Sequence, residues 1–308
     1  MAQGATRTPR ITQASESPLA QSRAPVLAVH QGAEPRVPLV LSSPHSGRDY
    51  PAAFLAQSSL DLAALRRSED AFVAELFAAG PGLGIPLLEA LFPRAYLDPN
   101  REPWELDPAM FADHLPAHIN TRSLRVAGGL GTIARIVGDG AEIYRDKLSF
   151  AEAETRIATF YAPYHDALER LVDATSARFG AVLLIDCHSM PSLATGDGGR
   201  RPDVVLGDRF GMACGREIVD AAASILRDLG LNVVRNEPYA GGFITHHYGR
   251  PALGRHALQI ELNRALYMDE VRIERGPGFA GLRERMARFL ARLIASEPVA
   301  RLAGTPGA

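Results

Sequence analysis

Two short apolar runs that each stop on a polar cluster carrying a histidine constrain this chain more than any other feature. Leu183-Leu184-Ile185 leads into Asp186-Cys187-His188-Ser189-Met190, and Leu39-Val40-Leu41 leads into Ser42-Ser43-Pro44-His45-Ser46-Gly47. Brief apolar runs of this kind read as buried strands. In an open α/β sheet the carboxyl ends of the strands form the ligand crevice, so polar groups placed there face substrate rather than core. Two histidines at strand ends suggest one metal ion.

The rest of the chain alternates strand-like and helix-like patterns. Helical spacing over 61–79 puts Leu62, Leu65, Phe72, Val73, Leu76 and Phe77 on one apolar face. Extended segments are expected at 85–90, 95–97 and 133–137. A long helical run over 149–178, interrupted near Pro163, feeds the strand at 181–185. Further strands are predicted at 203–207, 232–234 and 257–262, with helices over roughly 214–229 and 279–296. This alternation predicts a mostly parallel sheet covered by helices. The 308 residues are enough for one large α/β domain, expected over 29–300. Residues 1–28, rich in Ser, Thr, Gln and Arg and without an apolar core segment, read as a disordered N-terminal tail, and 301–308 as a C-terminal one.

Charge narrows the partners. A formal net charge of −2 gives no electrostatic case for nucleic acid or an anionic membrane, both of which reward clustered Lys and Arg. A small-molecule substrate fits better, and oligomerisation is compatible with the sequence. Cys187 and Cys214 are too few for a disulfide framework, and no apolar run approaches the ~20 residues of a spanning helix. A cytoplasmic enzyme is expected.

Zinc favours histidine nitrogen and carboxylate oxygen, and a catalytic site leaves one position open. His45 and His188 supply the imidazoles; Asp70 is the preferred third ligand and Glu69 the reserve. Alternatively, each histidine is an ordinary turn or core residue. In Asp98-Pro99-Asn100-Arg101 the arginine offers a planar fork suited to a carboxylate, although a surface turn has the same composition. Residues 236–250 read as one loop in which paired glycines allow close backbone approach, and His247 or Arg250 polarises a carbonyl or holds a carboxylate. Glu261 interrupts an apolar strand. A carboxylate there is costly unless paired or functional, and burial raises its pKa toward that of a general base. Pairing with Arg264 or Arg255 is the structural alternative. Cys187 reads as a small buried hydrophobe, His165 as a cap or buttress of the long helix, and no phosphate-cradling loop follows a strand.

Taken in order, Ser43-Pro44-His45-Ser46-Gly47, Glu69-Asp70, the stretch 93–101, Pro163-Tyr164-His165, Asp186-Cys187-His188-Ser189-Met190, Gly241-Gly242-Phe243-Ile244-Thr245 and Gln259-Ile260-Glu261-Leu262-Asn263-Arg264 resemble the N-formylglutamate amidohydrolase family. The resemblance runs from about residue 38 to 270. It implies a three-layer α/β/α sandwich with a mostly parallel mixed sheet, distantly similar to zinc carboxypeptidases and aspartoacylases. It further implies hydrolysis of N-formyl-L-glutamate to formate and L-glutamate, the last step of one route of histidine degradation. His45, Asp70 and His188 would hold one zinc ion and Glu261 would act as base. Arg101, helped by Asn100, would clamp one substrate carboxylate and Arg250 the other, and His247 would stabilise the oxyanion. The local His-x-x-Glu pair of zinc carboxypeptidases is not present after His45, so the acid ligand must come from farther along the chain. Two other readings remain: a related zinc deacylase or carboxypeptidase-like enzyme on another acyl amino acid or peptide, and a non-catalytic binder of an acidic amino-acid derivative.

Overall fold

A computed structural model describes residues 25–31, 34–138, 140–192 and 202–304. In chain order its regular elements are β1 (Leu27–His30), β2 (Leu39–Ser43), α1 (Ala52–Gln57), α2 (Leu62–Arg66), α3 (Val73–Leu76), β3 (Leu87–Ala90) and α4 (Leu124–Ala127). There follow α5 (Phe150–Arg156), a π-helical turn (Ile157–Tyr161), α6 (Ala162–Phe179), β4 (Val182–Met190), β5 (Val204–Gly207), α7 (Arg216–Asp228) and β6 (Val233–Arg235). The chain continues through α8 (Phe243–Tyr248), β7 (Arg255–Asn263), the small hairpin β8 (Met268–Asp269) and β9 (Glu274–Arg275), α9 (Phe279–Ala295) and α10 (Glu297–Ala300).

Seven strands form one sheet in the order β1-β3-β2-β4-β7-β5-β6. The central strands β3, β2, β4 and β7 run parallel, while β1 and β5 pair antiparallel with their neighbours β3 and β7. Side chains alternate across a strand with a period of two, and this sorts the core. Leu39, Leu41, Leu183, Ile185, Cys187, Leu258, Ile260 and Leu262 meet the apolar faces of α3, α7 and α9. Val40, Val182, Leu184 and Ala257 meet α6 and the aromatic residues around α1 on the opposite side. The result is the expected three-layer α/β/α sandwich with a mostly parallel mixed sheet. By the same alternation Ser42, Asp186, His188, Gln259 and Glu261 fall on the α6 side, at the carboxyl ends of β2, β4 and β7.

Several local expectations change under tertiary contacts. The helix predicted over 61–79 is split into α2 and α3 by residues 67–72, which include Glu69 and Asp70. There the Asp70 N–H donates to the His45 carbonyl at 3.0 Å and the Glu69 carbonyl accepts from Arg264 at 2.7 Å, so these backbone groups leave the helical ladder for long-range partners. Phe72 takes a left-handed φ of 66° at the restart. Residues 95–97 form a tight turn rather than a strand, with Tyr96 N–H donating to the Pro93 carbonyl at 2.9 Å, and 133–137 contributes only an isolated bridge from Ile136 to Glu142. The 236–250 stretch, expected as a loop, contains α8. Residues 1–24 and 305–308 of the expected tails lie outside the described residues, and Leu27 and Ala28, expected in the tail, pair in β1 with Ala90 and Glu89. Among the described residues no helix is long and apolar enough to cross a membrane.

Candidate metal centre

His45, just past the end of β2, Asp70, in the break between α2 and α3, and His188, near the end of β4, converge on one point, and all three are buried. Asp70 Oδ2 lies 3.2 Å from His45 Nδ1 and 3.0 Å from His188 Nδ1, and the two Nδ1 atoms are 3.1 Å apart. Tetrahedral bonds of about 2.0–2.1 Å to zinc put ligand atoms roughly 3.3 Å from one another, so the spacing suits a single ion after a small expansion. Two ring nitrogens and a carboxylate oxygen this close together form a donor set that suits a divalent cation. Burial opposes the ionisation of Asp70, but the adjoining imidazoles of His188 and His45 outweigh it and hold its carboxyl well below the usual range. The ligand carboxylate is thus already charged.

The outward nitrogens of both imidazoles are fixed by carboxylates. His45 Nε2 donates to Asp98 Oδ1 at 2.7 Å, and His188 Nε2 donates to Asp186 Oδ2 at 2.8 Å. Such partners set the tautomer that leaves Nδ1 free to ligate. Asp186 is itself held by Ser42 Oγ at 3.1 Å, which accepts from the Tyr164 hydroxyl at 2.9 Å. Glu69, the reserve ligand, faces away: it accepts from Tyr50 at 2.9 Å and Arg66 at 3.1 Å. The second Asp70 oxygen accepts from Arg264 Nη2 at 3.1 Å.

Glu261 stands directly across from His188 in the β4–β7 register. Burial raises its pKa to about 7; the nearby His188 lowers it and the nearby Asp70 raises it. Gln259 Nε2 donates to its Oε1 at 2.9 Å, while Gln259 Oε1 accepts from the Gly242 N–H at 2.9 Å. The arginines expected as structural partners are engaged elsewhere, Arg264 by Asp70 and Arg255 by Asp173. A buried carboxylate that titrates near neutrality beside a cation site is equipped to take and return a proton.

His45, His188 and Glu261 line a cavity of about 460 Å³ together with Asn100, Arg101, Arg67, Arg94, Arg125 and Arg264. The cationic lining favours an anionic ligand. Arg101 donates from Nε to the Leu130 carbonyl at 2.8 Å and lies 3.5 Å from Asp98. Asn100 reaches the cavity wall, but its side chain is committed: Oδ1 accepts from the Ile244 N–H at 2.8 Å, and Nδ2 donates to Asp186 Oδ2 at 3.4 Å.

His247 and Arg250 are not brought to this cavity. Phe243–Tyr248 coils into α8, whose N-terminal amides face Gln259 and Asn100, and this turns the exposed His247 ring against Phe243, with centroids 5.1 Å apart. Arg250, exposed beyond the helix, donates to the His246 and Gly249 carbonyls. Sequence reasoning in turn passed over Arg94, which donates to Asp98 at 2.8 Å and lies 3.9 Å from Asp70. Its position four residues before Asp98 was the available signal.

Known proteins are similar to this chain in sequence or in structure. A crystal structure of N-formylglutamate amidohydrolase from Ralstonia eutropha JMP134 is 39% identical, with a TM-score of 0.83, covering 89% of this chain and 98% of that one. N-formylglutamate deformylase of Pseudomonas aeruginosa is 32% identical over 247 residues, 76% of this chain and 84% of that protein. The Pseudomonas putida protein of the same name is 28% identical over 249 residues, 80% and 86% of the two chains. The family model for N-formylglutamate amidohydrolase matches residues 37–268, a span that contains the triad, Glu261 and the arginines of the cavity, and the chain therefore belongs to the N-formylglutamate amidohydrolase family.

Proposed function

We propose that this protein is a zinc-dependent amidohydrolase that cleaves the formyl amide of N-formyl-L-glutamate, giving formate and L-glutamate. The observation that carries this reading is the buried His45–Asp70–His188 triad beside Glu261, whose burial holds its pKa at about 7, in an arginine-lined cavity. The names of the Pseudomonas and Ralstonia relatives support the substrate. Two nitrogen donors and one oxygen suit zinc.

His45, Asp70 and His188 would hold the ion, which when bound polarises the formyl carbonyl and acidifies water. The Glu261 carboxylate takes a proton from water as the water oxygen bonds to the formyl carbon. It then passes that proton to the amide nitrogen as the C–N bond breaks, leaving the glutamate amine and formic acid, which ionises to formate. Arg101 clamps a substrate carboxylate; Asn100 aids by accepting from Arg101 Nη1 at its own carbonyl, 2.9 Å away, rather than through its committed side chain. The oxyanion and second-carboxylate roles pass from His247 and Arg250 to cavity residues, with Arg94, 3.9 Å from Asp70, on the developing oxyanion. A cytoplasmic setting, which keeps thiols reduced, suits the free and buried Cys187 and Cys214.

Formate release from N-formyl-L-glutamate, lost on chelation and regained with zinc, is the expected result for purified protein. Metal-bearing protein that releases no formate would discard this substrate, and acetyl and succinyl analogues would then identify the acyl group.

A further inference from the structure

The helix that packs behind the site changes pitch where it meets it. Between α5 and α6 the Ile157–Tyr161 segment is π-helical, and the Ala162 N–H donates five residues back to the Ile157 carbonyl. In an α-helix residues three or four apart share a face; a π turn widens that interval and is often found at functional sites. Here the widened turn and the residues after it aim polar groups at successive parts of the site. The Tyr161 hydroxyl donates to the Arg101 carbonyl at 2.8 Å, and His165 Nε2 donates to the Pro99 carbonyl at 2.8 Å. Neither residue lines the cavity. The segment they hold carries Asp98, which fixes His45, Asn100, which abuts His188, and Arg101. Those 98–101 residues lie in a turn, with few ladder hydrogen bonds of their own.

We propose that Tyr161 and His165 are positioning residues that pin the Pro99 and Arg101 carbonyls and thereby hold Asp98, Asn100 and Arg101 in working register with the metal ligands. His165 is built for a fixed donor role. Its Nδ1 accepts from the Tyr248 hydroxyl at 3.0 Å, which leaves the proton on Nε2 for Pro99. Burial lowers its pKa to about 4, so the ring stays neutral and keeps that tautomer at working pH. Rings of Tyr161, Tyr248 and Phe243 surround it, with the Tyr161 centroid at 4.3 Å, so it has little room to rotate.

The consequence for catalysis rests on the proposed amidohydrolase reading, but the first readout does not. Backbone hydrogen exchange of the full chain reports on the segment directly, through the Asp98 N–H bonded to Thr132 and the Asn100 N–H bonded to Asp98. In Tyr161→Phe and His165→Phe these two amides should exchange roughly five- to tenfold faster, as expected for loss of one hydrogen bond. Amides of β4 and β7 should keep wild-type protection, and His165→Gln, which retains a donor near Nε2, should restore it. Unchanged exchange at 98 and 100 in Tyr161→Phe, or equal acceleration throughout the sheet, would overturn the proposal, and failure of the Gln variant to rescue would remove His165 from it. Tyr161→Phe deletes one oxygen atom and decides the matter even where His165→Phe does not fold. For turnover of N-formyl-L-glutamate, the same variants should raise KM about tenfold with kcat nearly unchanged. Absence of turnover in the wild type would count against the substrate and leave the exchange result standing.

Discussion

At the scale of single residues, the site depends on burying charge beside charge. Glu261 is the clearest case, because its function and its effect on stability oppose one another. Its folded-state pKa of about 7 lies above the ordinary 4.5, so the folded protein binds this proton more tightly than the unfolded chain. Stability from this group is therefore greatest below pH 4.5 and falls as pH rises toward about 7. Glu261→Gln should abolish formate release while one metal ion per chain is retained. At pH 8 the metal-free variant should be more stable than the metal-free wild type by up to about 3 kcal/mol, at about 1.4 kcal/mol per pKa unit. Denaturant titrations of both proteins at pH 4 and pH 8 check this, and the difference should shrink at the lower pH. Near-normal turnover in the variant would remove Glu261 as base. For Arg101→Ala the expected change is a KM raised tenfold or more with a smaller effect on kcat, since the side chain is proposed to bind substrate equally before and during reaction. An unchanged KM would exclude the clamp.

At the scale of elements, the site is assembled from strand ends and from the breaks between helices. The split between α2 and α3 delivers Asp70, and the close approach of α8 to the turn at 98–101 fixes Asn100. Gly242 makes that approach possible: a Cβ there would stand 2.3 Å from Asn100 Oδ1 and 2.4 Å from Nδ2. Asn100 has no easy retreat, because its amide already contacts Ile244, His188 and Asp186. Gly242→Ala should therefore cost about 1–3 kcal/mol by overpacking and weaken metal binding with it. Thermal unfolding and a competitive metal titration measure the two effects, and a variant with wild-type values in both would show that α8 can shift without consequence.

At the scale of the whole molecule, a metal site assembled from residues 45, 70 and 188 ties together parts of the chain that meet only in the fold. An ion that binds the folded state alone stabilises it by about 2.7 kcal/mol at a hundredfold excess over Kd. Chelation should accordingly lower Tm, and zinc should restore it; Asp70→Asn should abolish both the binding and the metal-dependent shift. The α/β class, the strand-end histidines and Glu261 could be read from sequence because they follow from short-range rules: strands of period two, apolar runs interrupted by charge, and an acid that has no reason to sit in a buried strand unless it works. Asp70 could be preferred but not separated from Glu69, since neighbouring positions in a presumed helix differ only by rotation, and here the helix was not there. His247 and Arg250 stood in the right segment yet point out of it, because the coiling of α8 depends on Gln259 and Asn100, residues remote in sequence. Arg94, Asp98 and Asp186 acquired their roles only when three strand ends came side by side. The sequence by itself thus determined which strands end in reactive groups, through local periodicity and the cost of burying charge. The tertiary structure alone decided which of those groups face one another, because that choice rests on hydrogen bonds between segments far apart along the chain.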